Sequence, residues 1–298
     1  MTDATLRIDG LSHSFGDRRV LDRVSFEVRP GRLTGFIGAN GAGKTTTMRA
    51  IVGVLRPDTG AVTFGGRPLD LALRRRIGYM PEERGLYPQM KVADQLVYLG
   101  RVLGLSREDA VRRVDALLED LGLAERAQDV LHTLSLGNQQ RAQVAAALVH
   151  DPDVLILDEP FSGLDPLAMD TMAARLRERA DRGVPVLFSS HQLDLVERLC
   201  DDLVLIHAGE VVAAGSAEEL REQRAGRRYR VAVGGSPGWS PALAGVEVLA
   251  VDDRGTVVEL DRAADPQDVL RAAQGAGAVE HFGRVMPSLS ELFAEVAR

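Results

Sequence analysis

The spacing of apolar residues changes period several times along the chain, and each change predicts a different kind of element. Residues 5–9, 24–28 and 33–37 alternate apolar and polar positions and are separated by turn-forming Gly16-Asp17 and Pro30-Gly31, so they are expected to be strands. Asp58-Thr59-Gly60 and Gly65-Gly66 bracket a further strand at 61–64. The stretch 81–88, Pro-Glu-Glu-Arg-Gly-Leu-Tyr-Pro, is too polar and too proline-bounded for core structure and reads as a loop. From residue 92 to 122 the period becomes helical. Leu96, Leu99, Val102 and Leu103 fall on one face, and Val111, Val114, Leu117, Leu118 and Leu121 on another, with Ser106 and Asp109 marking a helix start between them. Residues 92–150 are therefore predicted to form a mainly helical insert in a chain that otherwise alternates strand and helix.

Alternation resumes at residues 153–160, Asp-Val-Leu-Ile-Leu-Asp-Glu-Pro, an almost continuous apolar run ending in two carboxylates. A strand buried on both faces of a parallel sheet reads this way, and its C-terminal end faces the crevice where ligands sit in such sheets. Further buried strands are predicted at 184–188, ending in Ser189-Ser190-His191, and at 203–207, followed by a hairpin at Ala208-Gly209-Glu210 and a capping box over 216–219. Composition shifts near residue 225, where a domain boundary is expected. The basic run Arg221, Arg224, Arg227, Arg228 and Arg230 reads there as a solvated linker rather than a nucleic-acid patch. Beyond it the pattern predicts strands near 229–233, 246–251, 256–260 and 278–285, a helix from Asp265-Pro266 and a last helix capped by Ser288 with Glu291. That suffices for a small α+β domain.

The chemistry concentrates at residues 38–45, Gly-Ala-Asn-Gly-Ala-Gly-Lys-Thr, which fit the phosphate-binding pattern Gly-x-x-x-x-Gly-Lys-Thr between a strand and a helix. Backbone N–H groups can wrap a polyphosphate only where no Cβ blocks the approach, and Gly38, Gly41 and Gly43 leave it open. The helix beginning near Lys44 directs its positive dipole end at the same anion. Lys44 is expected to reach the β- and γ-phosphates and the Thr45 hydroxyl to ligate Mg²⁺. The chain has only two lysines, Lys44 and Lys91, among many arginines, which marks position 44 as one needing a compact ammonium. With this loop upstream, Asp158 is suited to hold Mg²⁺ and Glu159 to orient or deprotonate an attacking water. His191 has two readings, a γ-phosphate sensor or an ordinary polar residue at a helix start. Phe15 also has two, stacking on a purine or filling a sheet edge, and spacing alone favours filling.

Charge and cysteine content narrow the partners. The formal net charge of −7 and pI of about 5.5 give no global basic field of the kind nucleic-acid binders carry. The single cysteine, Cys200, has no internal disulfide partner, and no Cys/His spacing suits zinc, so a reducing, cytoplasmic setting is expected. The N-terminal Met-Thr-Asp-Ala-Thr lacks the basic start and apolar run of a secretion signal. The longest apolar runs fall far short of the roughly 18 residues that read as a membrane span, so a membrane role is expected to come through a partner.

Residues 134–141, Leu-Ser-Leu-Gly-Asn-Gln-Gln-Arg, resemble the Leu-Ser-Gly-Gly-Gln signature of ATP-binding-cassette (ABC) ATPases, and the resemblance covers residues 4–220. Other motifs of that family follow in the expected order. Residues 38–45 are similar to its Walker A loop, 154–159 to its Walker B strand, 162–165 to its D-loop and His191 to its switch histidine. The resemblance implies an α/β fold: a P-loop NTPase core with a RecA-like, mostly parallel sheet, an N-terminal antiparallel β subdomain and the helical insert, over residues 1–224, then a small α+β accessory domain over 225–298. It implies that Phe15 stacks on adenine, and that Asn40 and Thr46 join Gly38, Gly41, Gly43, Lys44 and Thr45 around the nucleotide. Ser135, Gly137 and Gln139 would serve ATP held by a second subunit, so that two cassettes close around two ATP–Mg²⁺. Glu159, His191 and Lys44 are then the catalytic residues, and Thr45, Asp158 and Glu82 the residues around the metal.

Two departures from the family pattern matter. Leu136 replaces a signature glycine but leaves Ser135 and Gly137 in place. Glu82 stands where glutamine is usual, which adds negative charge near the γ-phosphate. The loop 82–88, together with the ending 287–293, is similar to the branch that powers bacterial exporters of sodium, drugs or antibiotics. The implied protein is an ATP-hydrolysing subunit at the cytoplasmic face of the membrane, a homodimer or paired with a second cassette, bound to separate integral membrane permease subunits, with no nucleic-acid partner. A soluble cassette ATPase of translation or DNA repair would instead typically carry two cassettes or a long coiled-coil insert. The retention of Lys44, Asp158, Glu159 and His191 argues against a third reading, a regulatory ATP-binding module without turnover.

Overall fold

The computed structural model describes residues 4–83, 85–224, 226–236, 238–286 and 291. By its internal packing the chain divides into two compact units, Met1–Ala217 and Glu218–Arg298.

In the first unit, β1 (Leu6–Phe15) and β2 (Arg18–Val28) form an antiparallel ribbon across the Gly16-Asp17 turn. Both run farther than strict alternation at 5–9 and 24–28 predicts. Register shifts between Ile8 and Ser14 let the ribbon continue through irregular positions that break a period of two. β3 (Leu33–Ile37), buried at every position, leads into α1 (Lys44–Val52). β4 (Thr59–Phe64) and β5 (Arg67–Pro68) then join the ribbon in a sheet of order β2-β1-β4-β5. α2 (Leu71–Arg74) precedes β6 (Ile77–Met80), and the loop read at 81–88 follows.

The helical insert contains α3 (Val92–Val102), α4 (Arg107–Asp120) and α5 (Leu136–Leu148). Ser106 starts α4 as the spacing predicts, its Oγ accepting the Asp109 N–H at 3.0 Å. Two positions on the predicted apolar faces are corrected: Val102 is 63% and Val111 41% exposed, whereas Gln95 is fully buried. The Gln95 Oε1 accepts the Tyr87 N–H at 3.1 Å, so a polar side chain takes a core position by satisfying the backbone of the preceding loop.

The chain returns to the sheet through β7 (Val154–Leu157), α6 (Pro166–Asp181), β8 (Val186–Ser190), α7 (Leu193–Leu199), β9 (Asp202–His207) and β10 (Glu210–Ser216). With β3 and β6 these strands make a six-stranded sheet, β10-β9-β3-β8-β7-β6, parallel except for the pairing of β10 with β9. One face shares a core with α1 and the antiparallel ribbon, built from Phe26, Phe36, Met48, Ile51, Ile156 and Ile206 among others. Burying each such side chain contributes about 1.5–3 kcal/mol, which fixes where β3 and β7 deliver their C-terminal ends. α6 was not singled out by apolar spacing, but it starts on clear capping chemistry. Asp165 Oδ1 accepts the Ala168 N–H at 2.9 Å, and Pro166 opens the first turn.

After α8 (Ala217–Arg224), the second unit is an antiparallel sheet of order β12-β13-β11-β14, formed by β11 (Arg228–Val233), β12 (Val246–Asp252), β13 (Gly255–Leu260) and β14 (Val279–Arg284). α9 (Pro266–Ala276) covers one face, with Val231, Val233, Val258, Leu260, Val269 and Ala273 as the core. The linker reading of the basic run is corrected for the residues on β11 and just before it. Arg228 Nε lies 3.0 Å from Glu259 Oε1, Arg230 pairs with Asp252, and Arg227 Nη1 donates to the Asp261 carbonyl at 2.6 Å. These arginines tie strand to strand inside a folded unit. The last predicted helix, apart from Glu291, lies outside the described residues.

Candidate functional site

Because β3 is packed on both faces, the turn that leaves it at residue 38 has little freedom. A Cβ at Gly38 would stand 2.5 Å from the Ile206 carbonyl oxygen, and Gly43 has φ of 110°, so both positions require glycine. α1 begins directly after Gly43 with no side chain capping it. Its first N–H groups and the positive end of its dipole are thus presented to the turn, the arrangement that binds phosphate at helix N-termini. Lys44 is only 7% exposed. Its Nζ donates to the carbonyls of Gly38 at 2.7 Å and Ala39 at 3.3 Å, neutral contacts that hold the ammonium in place.

Facing this loop is the end of β7. Asp158 is 1% exposed; its Oδ1 accepts the Ser189 hydroxyl proton at 2.6 Å, while its Oδ2 is buried without a partner. An orphaned carboxylate oxygen is costly to bury, and a cation relieves that cost. Glu159 is held differently. Its N–H donates to Ser189 Oγ at 2.8 Å, its carbonyl accepts from Gln140 Nε2 at 2.8 Å, and its backbone adopts φ of 53°. Its Oε2 lies 2.9 Å from His191 Nδ1. Burial pushes the Glu159 carboxyl above the usual glutamate range, with the His191 imidazole acting in the opposite direction.

A cleft of about 470 Å³ brings Gly41, Gly43, Lys44 and Thr45 together with Asp158 and Glu159. Asn40, Thr46 and Glu82 also line it, and Thr45 Oγ1 donates to Glu82 Oε2 at 3.4 Å. Among the described residues no group of three or more His, Cys, Asp or Glu side chains is arranged to hold a metal by itself. The free Asp158 oxygen and the Thr45 hydroxyl are the groups in this cleft that would hold a hard cation such as Mg²⁺. Phe15, at the end of β1, is 56% exposed and meets His13 edge-on with centroids 4.6 Å apart, so most of the ring is open rather than packed into the sheet edge.

The signature residues lie elsewhere. Ser135 is exposed and caps α5, its Oγ accepting the Asn138 N–H at 3.4 Å. Neither Ser135 nor Gly137 lines the phosphate-loop cleft. Gln139 is turned into its own chain, 7% exposed, with Nε2 donating to the Leu134 carbonyl at 2.8 Å. It supports the turn before α5 and does not face outward.

Sequence comparison decides the family. An ABC transporter ATP-binding protein of Bacillus subtilis, YhaQ, is 35% identical over 290 residues, 97% of this chain and 97% of that protein. The chain belongs to the ABC transporter ATP-binding proteins. The ABC transporter family model matches residues 21–162, and residues 215–297 match a model described as ATP-binding protein DrrA1-3-like, C-terminal domain. The Nod factor export ATP-binding protein I of Paraburkholderia xenovorans is 39% identical over 74% of this chain and 73% of that protein. A solved structure of an ATP-binding subunit of an ABC transporter superposes with a TM-score of 0.68 at 35% identity, covering 74% of this chain and 92% of that one. The protein is thus the ATP-binding subunit of an ABC transporter, and the α/β cassette fold expected from the motifs is the one present.

Within the cassette, some site residues escaped the sequence reading. Arg18 lines the cleft and pairs across the hairpin with Phe15; its position beside that aromatic was the available signal. Ser189 and Gln140 gave none. The strand predicted to stop at 188 runs on through Ser190, and Gln140 meets Glu159 only through tertiary packing.

Proposed function

We propose that this cassette hydrolyses ATP and uses the cycle to drive separate membrane-spanning subunits, in the direction of export. The observation that carries the reading is the 2.9 Å contact of His191 Nδ1 with Glu159 Oε2, beside the cleft that contains Lys44 and Asp158. A half-buried base with an orienting histidine serves a reaction; nucleotide binding alone does not require it. The N–H groups of Gly41 and Gly43 and the Lys44 ammonium bind the phosphates, with Gly38, Asn40 and Thr46 shaping the loop. Thr45 and Asp158 would hold Mg²⁺, with Glu82 beside them. When bound, the ion would supply charge neutralisation to the phosphates. Glu159 takes the proton of the attacking water, and its raised pKa makes it a stronger base. His191 keeps the Glu159 carboxylate aimed and meets the γ-phosphate, and Phe15 stacks on the adenine.

Ser135 and Gly137 complete the site of a second copy, so that ATP joins two cassettes and hydrolysis releases them. The exposure of Ser135 at a helix N-terminus, away from its own cleft, supports this reading. Among the described residues no helix is long and apolar enough to cross a membrane, so the pathway is assigned to permease subunits, with the cassette on the cytoplasmic face. Export is supported by the Nod factor export relative and by the match of residues 215–297.

Glu159→Gln keeps the shape and removes the base. Turnover is expected to fall by about 10²- to 10⁴-fold, while ATP and Mg²⁺ convert the protein to a stable dimer measurable by light scattering. A variant that keeps parental turnover, or remains monomeric at saturating ATP, would refute the base or the shared site respectively.

A further inference from the structure

Ser189 is fully buried, and both hydrogen bonds of its hydroxyl go to the two acidic residues that follow β7. The Oγ–H donates to Asp158 Oδ1 at 2.6 Å, and the same oxygen accepts the Glu159 N–H at 2.8 Å. Donor and acceptor capacities are therefore used in opposite directions, one on a side chain and one on a backbone. The sheet fixes this geometry, since β7 and β8 are parallel neighbours with Leu157 opposite Phe188. The next residues on each strand are thereby brought side by side.

Two consequences follow from those bonds. With Oδ1 occupied by Ser189, the Asp158 carboxylate cannot rotate freely, and Oδ2 is the oxygen left buried and unpartnered. Glu159 must also leave the strand with φ of 53°, a left-handed conformation that costs a non-glycine residue energy and persists only where the surroundings impose it. Ser189 at its N–H and Gln140 at its carbonyl supply that restraint. The conformation brings Glu159 Oε2 within 2.9 Å of His191 Nδ1.

We propose that Ser189 is a positioning residue that sets both halves of the chemistry at once: it presents Asp158 Oδ2 to the metal and holds the Glu159 backbone in the turn that aims its carboxylate. A hydroxyl is required because the two tasks need one donor and one acceptor on the same atom. Alanine removes both, and threonine retains both. The inference rests on the ATPase reading above, since it assigns Asp158 to the metal and Glu159 to the base.

The test compares the parent with Ser189→Ala and Ser189→Thr in the full chain. Three readouts are used: ATP affinity in EDTA, Mn²⁺ affinity in the presence of a non-hydrolysable ATP analogue by electron paramagnetic resonance, and kcat with KM. Partners that orient metal ligands typically change affinity or activity by about 10- to 100-fold. Ser189→Ala is expected to lose that much in Mn²⁺ affinity and in kcat while metal-free ATP affinity and KM stay within about twofold, and Ser189→Thr is expected to recover most of the Mn²⁺ affinity. A folded Ser189→Ala with parental Mn²⁺ affinity and kcat overturns the inference, as does one with a lowered Tm and no other change. Should threonine not fit the buried position and fail to fold, the metal-free and metal-bound affinities of the alanine variant decide alone. A parent that binds no Mn²⁺ with the nucleotide analogue would overturn the functional reading itself, which the parental control separates from failure of the Ser189 assignment.

Discussion

Two helix N-termini in the first unit carry small residues, one uncapped at α1 and one capped by Ser135 at α5, and the chain treats them in opposite ways. At α1 the turn is enclosed. Gly38 is pressed against Ile206, Lys44 is buried against its own loop carbonyls, and Asp158 and Glu159 form the opposing wall of the cleft. At α5 the turn is open, with Ser135 exposed and Leu136 60% exposed, and its polar capacity is spent only on a local cap. The first terminus faces the phosphate-loop cleft, whose walls β3, β7 and β8 deliver; at the second, Leu136 and Gln140 line a neighbouring cleft of about 350 Å³ with Gly163 and His191, and Ser135 and Gly137 line neither. In the proposed reading the site at α1 is completed by the Ser135 and Gly137 turn of a second copy, and closed two-fold pairing lets each copy supply the other's complement.

The largest effect that can break this comparison comes from damaging each terminus separately. Lys44→Ala removes a charged donor facing the phosphates, expected to cost roughly 1.5–3 kcal/mol, or about 10- to 100-fold in ATP affinity. Ser135→Arg should leave the affinity of the monomer for ATP near parental, because the residue lies outside its own cleft, and should abolish ATP-driven pairing. Mixing the two proteins places one undamaged site in each mixed dimer. Pairing by light scattering is expected to return on mixing, and activity with it if one site fires alone. Loss of ATP affinity in the Ser135→Arg monomer would show that the open terminus serves its own nucleotide, and the contrast between the two helices would collapse.

How much of this arrangement was legible from the residues differs between the two termini for the same physical reason. The α1 site follows from short-range chemistry: a buried strand, glycines, Lys44 and Thr45 in succession, so the loop could be placed before any contact was known. The paired carboxylates at 158 and 159 followed because a strand buried on both faces must end at the crevice. Contacts between elements distant in sequence were not readable. Ser189 looks like a residue beyond a strand end because polar residues usually mark one, and only its pairing beside β7 turns it inward. Gln139 was assigned with Ser135 and Gly137 from adjacency in the signature, yet α5 rotates successive side chains by about 100°, which points Gln139 to the core. Periodicity likewise assigned Val102 and Val111 to buried faces because it cannot tell which apolar positions of an amphipathic helix lie at the margin.

A smaller effect sharpens the description of the enclosed side. Glu82 adds a carboxylate to a cleft that already holds Asp158 and Glu159, and its Oε2 meets the Thr45 hydroxyl at 3.4 Å. Near a solvated cleft one added charge a few ångströms from a phosphate is worth about 1 kcal/mol. Glu82→Gln is thus expected to tighten ATP–Mg²⁺ binding by about fivefold, with Glu82→Ala also relieving the repulsion but losing the contact to Thr45. Titration calorimetry checks this. If all three proteins bind ATP–Mg²⁺ equally, Glu82 is a solvated loop residue and the enclosed site ends at Asp158.

The smallest expected effect concerns the group that stands between the two regions. Glu159 takes a backbone bond from Gln140 of α5, the helix of the open terminus, and contacts His191 at the end of β8. Burial disfavours its charged form and raises its pKa; His191 counteracts this first, then Lys44, while Asp158 adds to the rise. In nucleotide-free protein, the Glu159 carboxyl followed by ¹³C NMR should titrate above the ordinary glutamate value of about 4.3. Because a positive imidazolium favours the carboxylate, His191→Ala should move the midpoint further up. Removing the Asp158 charge with Asp158→Asn should move it down, and by less, since Asp158 is the weakest of these influences. The carboxylate must be ionised to accept a proton from water, so the acid limb of the turnover profile is expected to move toward higher pH in His191→Ala. A midpoint at or below the ordinary value would mean that His191 and Lys44 outweigh burial, and that the half-buried place of Glu159 between the α5 region and the phosphate loop does not raise its pKa.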